Sequence, residues 1–220
     1  MNQSTNTETA HSRLRWLYNI SGAAALIVGT LLLIAVISLI ITVLQPNPTV
    51  GWLSALENNW LVVIFKLHAG FSGVQSGLLH VLNLLDIAIL ALVGVMYLGL
   101  YAALRRTSRI WSIIAAIQPF LGIVLFLATR TAGRSGVMGA GLVISIVMLR
   151  SDIFKKFTAY VGILASVLLL VGDFSVGAIP PLGITAMLFG IGYMLFITWY
   201  FLNAQRLFQL GSSVLKEQAQ

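Results

Sequence analysis

The side chains that could do chemistry in this 220-residue chain are few: six acids, three histidines and no cysteine. Two carboxylates, Asp86 and Asp173, and two guanidiniums, Arg130 and Arg134, stand inside or beside long apolar runs. A charge in hydrocarbon costs about 2.5–3.5 kcal/mol, so it normally faces a helix bundle and finds a partner there. The depths of these charges follow from the helical rise, counted from the basic corners that end the runs. Arg134 lies about 22 Å from Leu149, Asp173 about 24 Å from Phe157 and Asp86 about 27 Å from Leu104. All three therefore reach one level, far from the basic corners. An Arg134–Asp173 ion pair is expected across a helical hairpin, with Asp86 and Arg130 nearby. Such a cluster is a structural clamp, a set of charges snorkelling to a membrane interface, or an ion or substrate site.

His68 and His80 precede this cluster. Imidazole titrates near neutral pH, so with Asp86 they could form a proton-linked or hard-metal site. Their spacing fits no metal motif, and no predicted span holds a histidine. No metal, haem or other cofactor is assigned. No catalytic residue is assigned either: the chain has no HExxH, no GxSxG, no Walker loop and no nucleophile beside an obvious base. Without cysteine, thiol catalysis, disulfides and thiolate metal sites are excluded. Ser145 and Ser166 are single hydroxyls in apolar runs, expected to bond back to their own helices. Gln118 and Pro119 fall mid-run, where proline is expected to kink the helix. Gly133, Gly136, Gly139, Ala140 and Gly141 invite close helix approach, as do Gly183, Gly190 and Gly192.

The elements that must position these residues are apolar helices. The chain is 59% hydrophobic and 9% charged, with a mean hydropathy of +0.97. Soluble domains carry about 25% charged residues. The composition predicts an all-α, polytopic membrane helix bundle. Six spans are expected, at residues 20–44, 82–104, 110–129, 131–149, 157–179 and 182–202. Pro46 and Pro48 follow the first, and Pro180–Pro181 separates the last two. Residues 1–15 are polar and expected to be disordered, and residues 211–220 form a polar tail. The first run is too long, and lacks the cleavage site, for a signal peptide. Residues 51–81 mix apolar, glycine and polar residues, with Trp52 and Trp60 placed for an aromatic belt. They are expected to form an amphipathic segment on the outer surface.

With six spans, the inner side receives Arg13, Arg15, Arg105, Arg106, Arg109, Arg150, Lys155, Lys156, Arg206 and Lys216, most of the thirteen basic residues. Lys66, Arg130 and Arg134 fall outside. This split obeys the positive-inside rule and sets both termini in the cytoplasm. A seventh span at residues 60–81 would scatter the charges. The net charge of +7 is then explained by basic loops beside anionic headgroups, and no nucleic-acid partner is expected.

Three stretches carry a resemblance. An aspartate opens the second span (L-N-L-L-D-I-A-I-L-A-L), a basic corner follows it (L-R-R-T-S-R), and the last span ends W-Y-F-L-N-A-Q-R-L-F-Q-L-G. Over residues 82–211 the chain resembles uncharacterised prokaryotic six-span integral membrane families of the domain-of-unknown-function type. The resemblance implies a multi-span fold and no established activity.

The reading is a multi-pass protein of the inner or plasma membrane, non-enzymatic, acting as an assembly partner or small sensor. Its partners are the bilayer and a membrane protein or second copy of the chain. One alternative is a small transporter or channel using Asp86 and Asp173, with Arg134 as counter-charge. Another is a lipid-acting enzyme with His68 or His80 as base and Asp86 as its orienting partner.

Overall fold

The computed structural model describes residues 3–43, 76–129, 133–175 and 182–218, with side chains over 12–34, 36–37, 88–122, 124, 136–172, 188 and 190–213. Among the described residues it is all-helical. Its elements are α1 (Gln3–Val43), α2 (Ser76–Leu104), α3 (Arg109–Thr129), α4 (Gly133–Leu149), α5 (Lys156–Ser175) and α6 (Leu182–Gln218).

The helices are long because little interrupts them. Aliphatic residues dominate, and the described course of α1 ends just before Pro46. Pro119 sits inside α3, which runs through it unbroken from Arg109 to Thr129. The α2–α3 corner closes with Thr107 N and Ser108 N donating to the Leu104 carbonyl, at 2.9 and 3.2 Å. Ser108 then caps α3, its carbonyl accepting the first helical bond from Ser112 N at 3.1 Å.

Three boundaries differ from the sequence reading. Residues 1–15 were expected to be disordered, yet α1 begins at Gln3. The second span opens earlier, at Ser76, so the end of the expected surface segment 51–81 belongs to α2. The rest of that segment lies outside the described residues. The polar tail is helical as far as Gln218. The physical reason is tertiary pairing. The two long helices lean on each other where their own composition is polar: a Cβ at Gly211 would meet the Asn19 carboxamide and lie 3.6 Å from the Arg15 carbonyl.

Each helix packs on its chain neighbours, α6 closes the ring onto α1, and α2 also reaches α4. Neighbours around the ring run antiparallel. Gly22 faces Phe208 and Gly29 faces Tyr200 across α1–α6. Gly136 faces Gly122, and Gly139 faces Gln118, across α3–α4. Gly141 faces Ser166 across α4–α5, and Gly192 faces Leu169 across α5–α6. The expected small-residue contacts thus occur at Gly136, Gly139, Gly141 and Gly192, whereas Gly190 faces open space.

The alternation brings the start of α1, both basic corners and the late part of α6 to one end. Two contacts tie this end together. Arg206 Nε donates to the Ile153 carbonyl at 2.6 Å. Arg15 abuts Gly211. Past this end, α1 runs back to Gln3 and α6 runs on to Gln218 as helical extensions.

The core is apolar, with Met96, Leu100, Leu104, Met138, Ile144, Met148, Leu169 and Leu207 fully buried. The outside is apolar too. Ile110, Ile114, Ile117, Leu121 and Val124 line the exposed face of α3, and Phe157, Tyr160, Leu164, Val167 and Val171 line that of α5. Both follow the three-four spacing of one helix face. Ser12–Ile34 is a helix of 23 residues whose most apolar 18-residue window has a mean hydropathy of 1.9, long and apolar enough to cross a membrane. Ala88–Leu104, Gly136–Leu149 and Lys156–Gly172 are shorter apolar helices.

Candidate functional site

The residues singled out by charge lie largely beyond reach of a side-chain description. His68 and Arg130 lie outside the described residues. The backbones of His80, Asp86, Arg134 and Asp173 are helical, and their side chains lie outside the described ones. His80 and Asp86 stand six residues apart on the one helix α2. Side-by-side positions on a helix are three or four apart, so this spacing does not set a base beside its orienting acid. Among the described residues, no three His, Cys, Asp or Glu side chains gather as a metal site would require.

A different constellation lies in the bundle interior. Phe196, Trp199, Tyr200 and Asn203 occupy one face of α6 and are fully buried. Their spacing of three, four and seven is that of a core stripe. The Trp199 ring stacks on Phe196 with centroids 5.5 Å apart and planes 7° apart. It meets Tyr200 edge-on at 5.4 Å and Tyr97 of α2 at 6.4 Å, tilted by 49°. Phe196 and Tyr200 make a further edge contact at 4.9 Å. Offset and edge-on arrangements suit the ring quadrupoles and add about 0.5–1.5 kcal/mol per pair beyond area burial.

Against this stripe, α4 and α5 pack through a reciprocal match of serine and glycine. Helix α4 carries G-L-V-I-S from Gly141 to Ser145, and α5 carries G-I-L-A-S from Gly162 to Ser166. Antiparallel packing sets each serine over the other helix's glycine. A Cβ at Gly162 would collide with both Ser145 Oγ and Trp199 Nε1. A Cβ at Gly141 would lie 2.8 Å from Ser166 Oγ and 3.1 Å from the Phe196 ring. Glycine is required here for close approach, and at Gly162 three helices converge on one methyl-sized spot.

The polar atoms at this junction are buried and unsatisfied among the described residues. Tyr97 OH, Ser145 Oγ, Ser166 Oγ, Trp199 Nε1 and Asn203 Oδ1 have no hydrogen-bond partner. The expectation that Ser145 and Ser166 bond back to their own helices is therefore corrected. Thr30 and Thr198 do bond back, each to the carbonyl four residues earlier at 2.9 Å. The difference is exposure: those threonines are on the outer face, while the serines are turned into the α4–α5 seam. Asn203 Nδ2 donates to the Trp199 carbonyl at 2.8 Å. Gln118 Oε1, Ser112 Oγ and Ser151 Oγ are likewise buried without a partner.

The junction consists of neutral hydroxyls, an indole N–H and an amide. It can donate and accept hydrogen bonds, and no carboxylate, imidazole or cation belongs to it among the described residues. Sequence reasoning noted Ser145, Ser166 and Gly141 singly and missed Gly162, Trp199 and Tyr97. The repeated G-x-x-x-S in both limbs of the hairpin was the signal that could have joined them. Comparison with protein-family models, curated proteins and solved structures finds no match, so no residue role is carried over from a relative.

Proposed function

We propose that this chain is a six-span integral protein of the inner or plasma membrane, with both termini and the basic end in the cytoplasm. It acts without catalysis, as an assembly partner or small sensor. The observation that carries this reading is the polarity of the surface. The outer line of α3 and that of α5 from Leu164 to Val171 are aliphatic, while buried hydroxyls, an indole N–H and amides lie inside. Soluble monomers rarely expose apolar patches beyond a few hundred Å². At the basic end the exposed residues turn aromatic, with Trp16 65%, Trp111 52%, Phe157 63% and Tyr160 60% exposed. Beyond them come Arg13, Arg15, Arg105, Arg106, Arg109, Arg150, Lys155 and Lys156. The order aliphatic, aromatic, cationic matches acyl chain, interface and headgroup.

The partner role is supported by excess length. At 41 and 37 residues, α1 and α6 reach about 62 and 56 Å, against about 30 Å of hydrocarbon. About 15 Å of α1 precedes Arg13 and about 18 Å of α6 follows Arg206, past the basic end, where a cytoplasmic partner would meet them. Alkaline carbonate extraction of membranes tests the assignment. The protein stays in the pellet if it spans the bilayer; release into the supernatant sinks the reading.

The Arg134–Asp173 pair belongs to the same proposal. The α4–α5 register supports it. Gly141 stands opposite Ser166, and positions 134 and 173 lie seven residues further along the same two helix lines. Asp86 and Arg130 complete the charged cluster on the outer side.

A second reading is favoured by the interior polar atoms, which recur from Ser112 and Ser151 to Gln118. A small transporter or channel would use them as a path, with Asp86 and Asp173 at its outer mouth. Reaction of Ser145→Cys with a membrane-impermeant thiol reagent would favour the path. Protection of that cysteine keeps the partner reading.

A further inference from the structure

The two basic corners differ in a way that their equal cation counts conceal. The α4–α5 corner carries Arg150, Lys155 and Lys156, and it also carries Asp152. Phe154 is buried there, and the backbone at Ile153 is pinned by Arg206. That corner mixes an acid with its cations and is tucked against α6, which brings Arg206 into it. The α2–α3 corner carries Arg105, Arg106 and Arg109, all exposed, with no acidic residue in its loop or in the helices between Asp86 and Asp152. Its first helical hydrogen bond is Ser112 N to Ser108 O. The amides of Arg109, Ile110 and Trp111 therefore precede the helical ladder and add the positive end of α3 to the three guanidiniums. Exposed Trp111 and Ile110 sit directly below, and Leu98 lies seven residues before Arg105 on the outer line of α2.

We propose that the α2–α3 corner is a docking site for an anionic phospholipid of the cytoplasmic leaflet. Arg105, Arg106 and Arg109 hold the phosphate, and the acyl chains lie along Leu98, Ile110 and Ile114. The proposal rests on the membrane reading above. Charge complementarity selects the head, since guanidinium and phosphate match bidentately. The apolar faces beneath select a lipid over a free ion. The corner that carries Asp152 does not share this selectivity.

Quenching of tryptophan fluorescence in lipid nanodiscs tests the site, with brominated phosphatidylglycerol or brominated phosphatidylcholine as probe at equal mole fraction. Wild type is expected to show about a tenfold local excess of the anionic lipid, as juxtamembrane cations attract anionic headgroups. Trp111→Phe removes most of that excess signal. Combined Arg105→Gln, Arg106→Gln and Arg109→Gln abolishes the excess, while Arg150→Gln, Lys155→Gln and Lys156→Gln together retain it. If the triple variant fails to enter nanodiscs, Arg109→Gln alone is expected to reduce the excess severalfold. No excess in wild type, or equal loss in both triple variants, overturns the proposal. Relief of the excess by inorganic phosphate overturns it as well, because the corner would then bind a free ion. Failure of the membrane reading is seen separately, as release of the protein by alkaline carbonate.

Discussion

A methyl group at position 162 has nowhere to go, because Ser145 Oγ and Trp199 Nε1 already occupy the spot it would take. Gly162→Ala is expected to destabilise the protein by about 1–3 kcal/mol through overpacking. Thermal unfolding in detergent would read this as a lowered midpoint. Ser145→Ala removes a buried hydroxyl that has no partner, so it is expected to be neutral within about 1 kcal/mol, or stabilising. A larger loss for Ser145→Ala would mean that the hydroxyl is hydrogen-bonded. The charged cluster has its own test. Asp173→Asn or Arg134→Gln alone should cost about 3–5 kcal/mol if the pair is buried, and the double variant should be milder. Singles as stable as wild type would shift these charges from structure to function. Ser145, Ser166 and Gly141 were visible in the sequence as small residues in apolar runs. Their junction was not, because each serine meets a glycine on the other limb, and the match depends on a register that no single helix reveals.

Among the elements, α6 does most of the joining. It closes the ring on α1, carries the buried aromatic stripe, and reaches the α4–α5 corner through Arg206. Arg206→Gln is expected to cost about 1 kcal/mol, because the guanidinium is only half-buried. Faster hydrogen exchange at Ser151 and Lys155 would localise the loss to the corner. Unchanged exchange there would mean the corner is held by Phe154 packing alone. Helices were the most legible feature of the sequence, since each apolar run is too long for a strand and ends in a basic corner or proline. Their ends were less legible. Residues 1–15 read as polar and disordered and residues 211–220 as a polar tail, yet α1 begins at Gln3 and α6 runs to Gln218, and the two helices meet where Gly211 lies against Asn19 and Arg15. Propensity and composition are local, while the support for those turns comes from a helix far away in the chain.

For the whole molecule, the ring brings every described cation except Arg134 to one end and turns apolar lines outward, the pattern the proposed lipid-solvated bundle requires. That alternation of ends was readable from the charge pattern before any fold was known, since Arg105–Arg109 and Arg150–Lys156 fall two helices apart. What the sequence did not reveal was the asymmetry between these corners, which depends on Arg206 reaching Ile153 from α6. The chain has no cysteine, so single introduced cysteines report position without background. The measurement that tests the central claim is thiol labelling of Ser12→Cys, Ser108→Cys, Ser213→Cys and Asn47→Cys in intact cells or sealed vesicles, using an impermeant reagent. The account predicts that Ser12→Cys, Ser108→Cys and Ser213→Cys label only from the cytoplasmic side, and Asn47→Cys only from the opposite side. Labelling of all four from one side would contradict a bundle that spans the membrane.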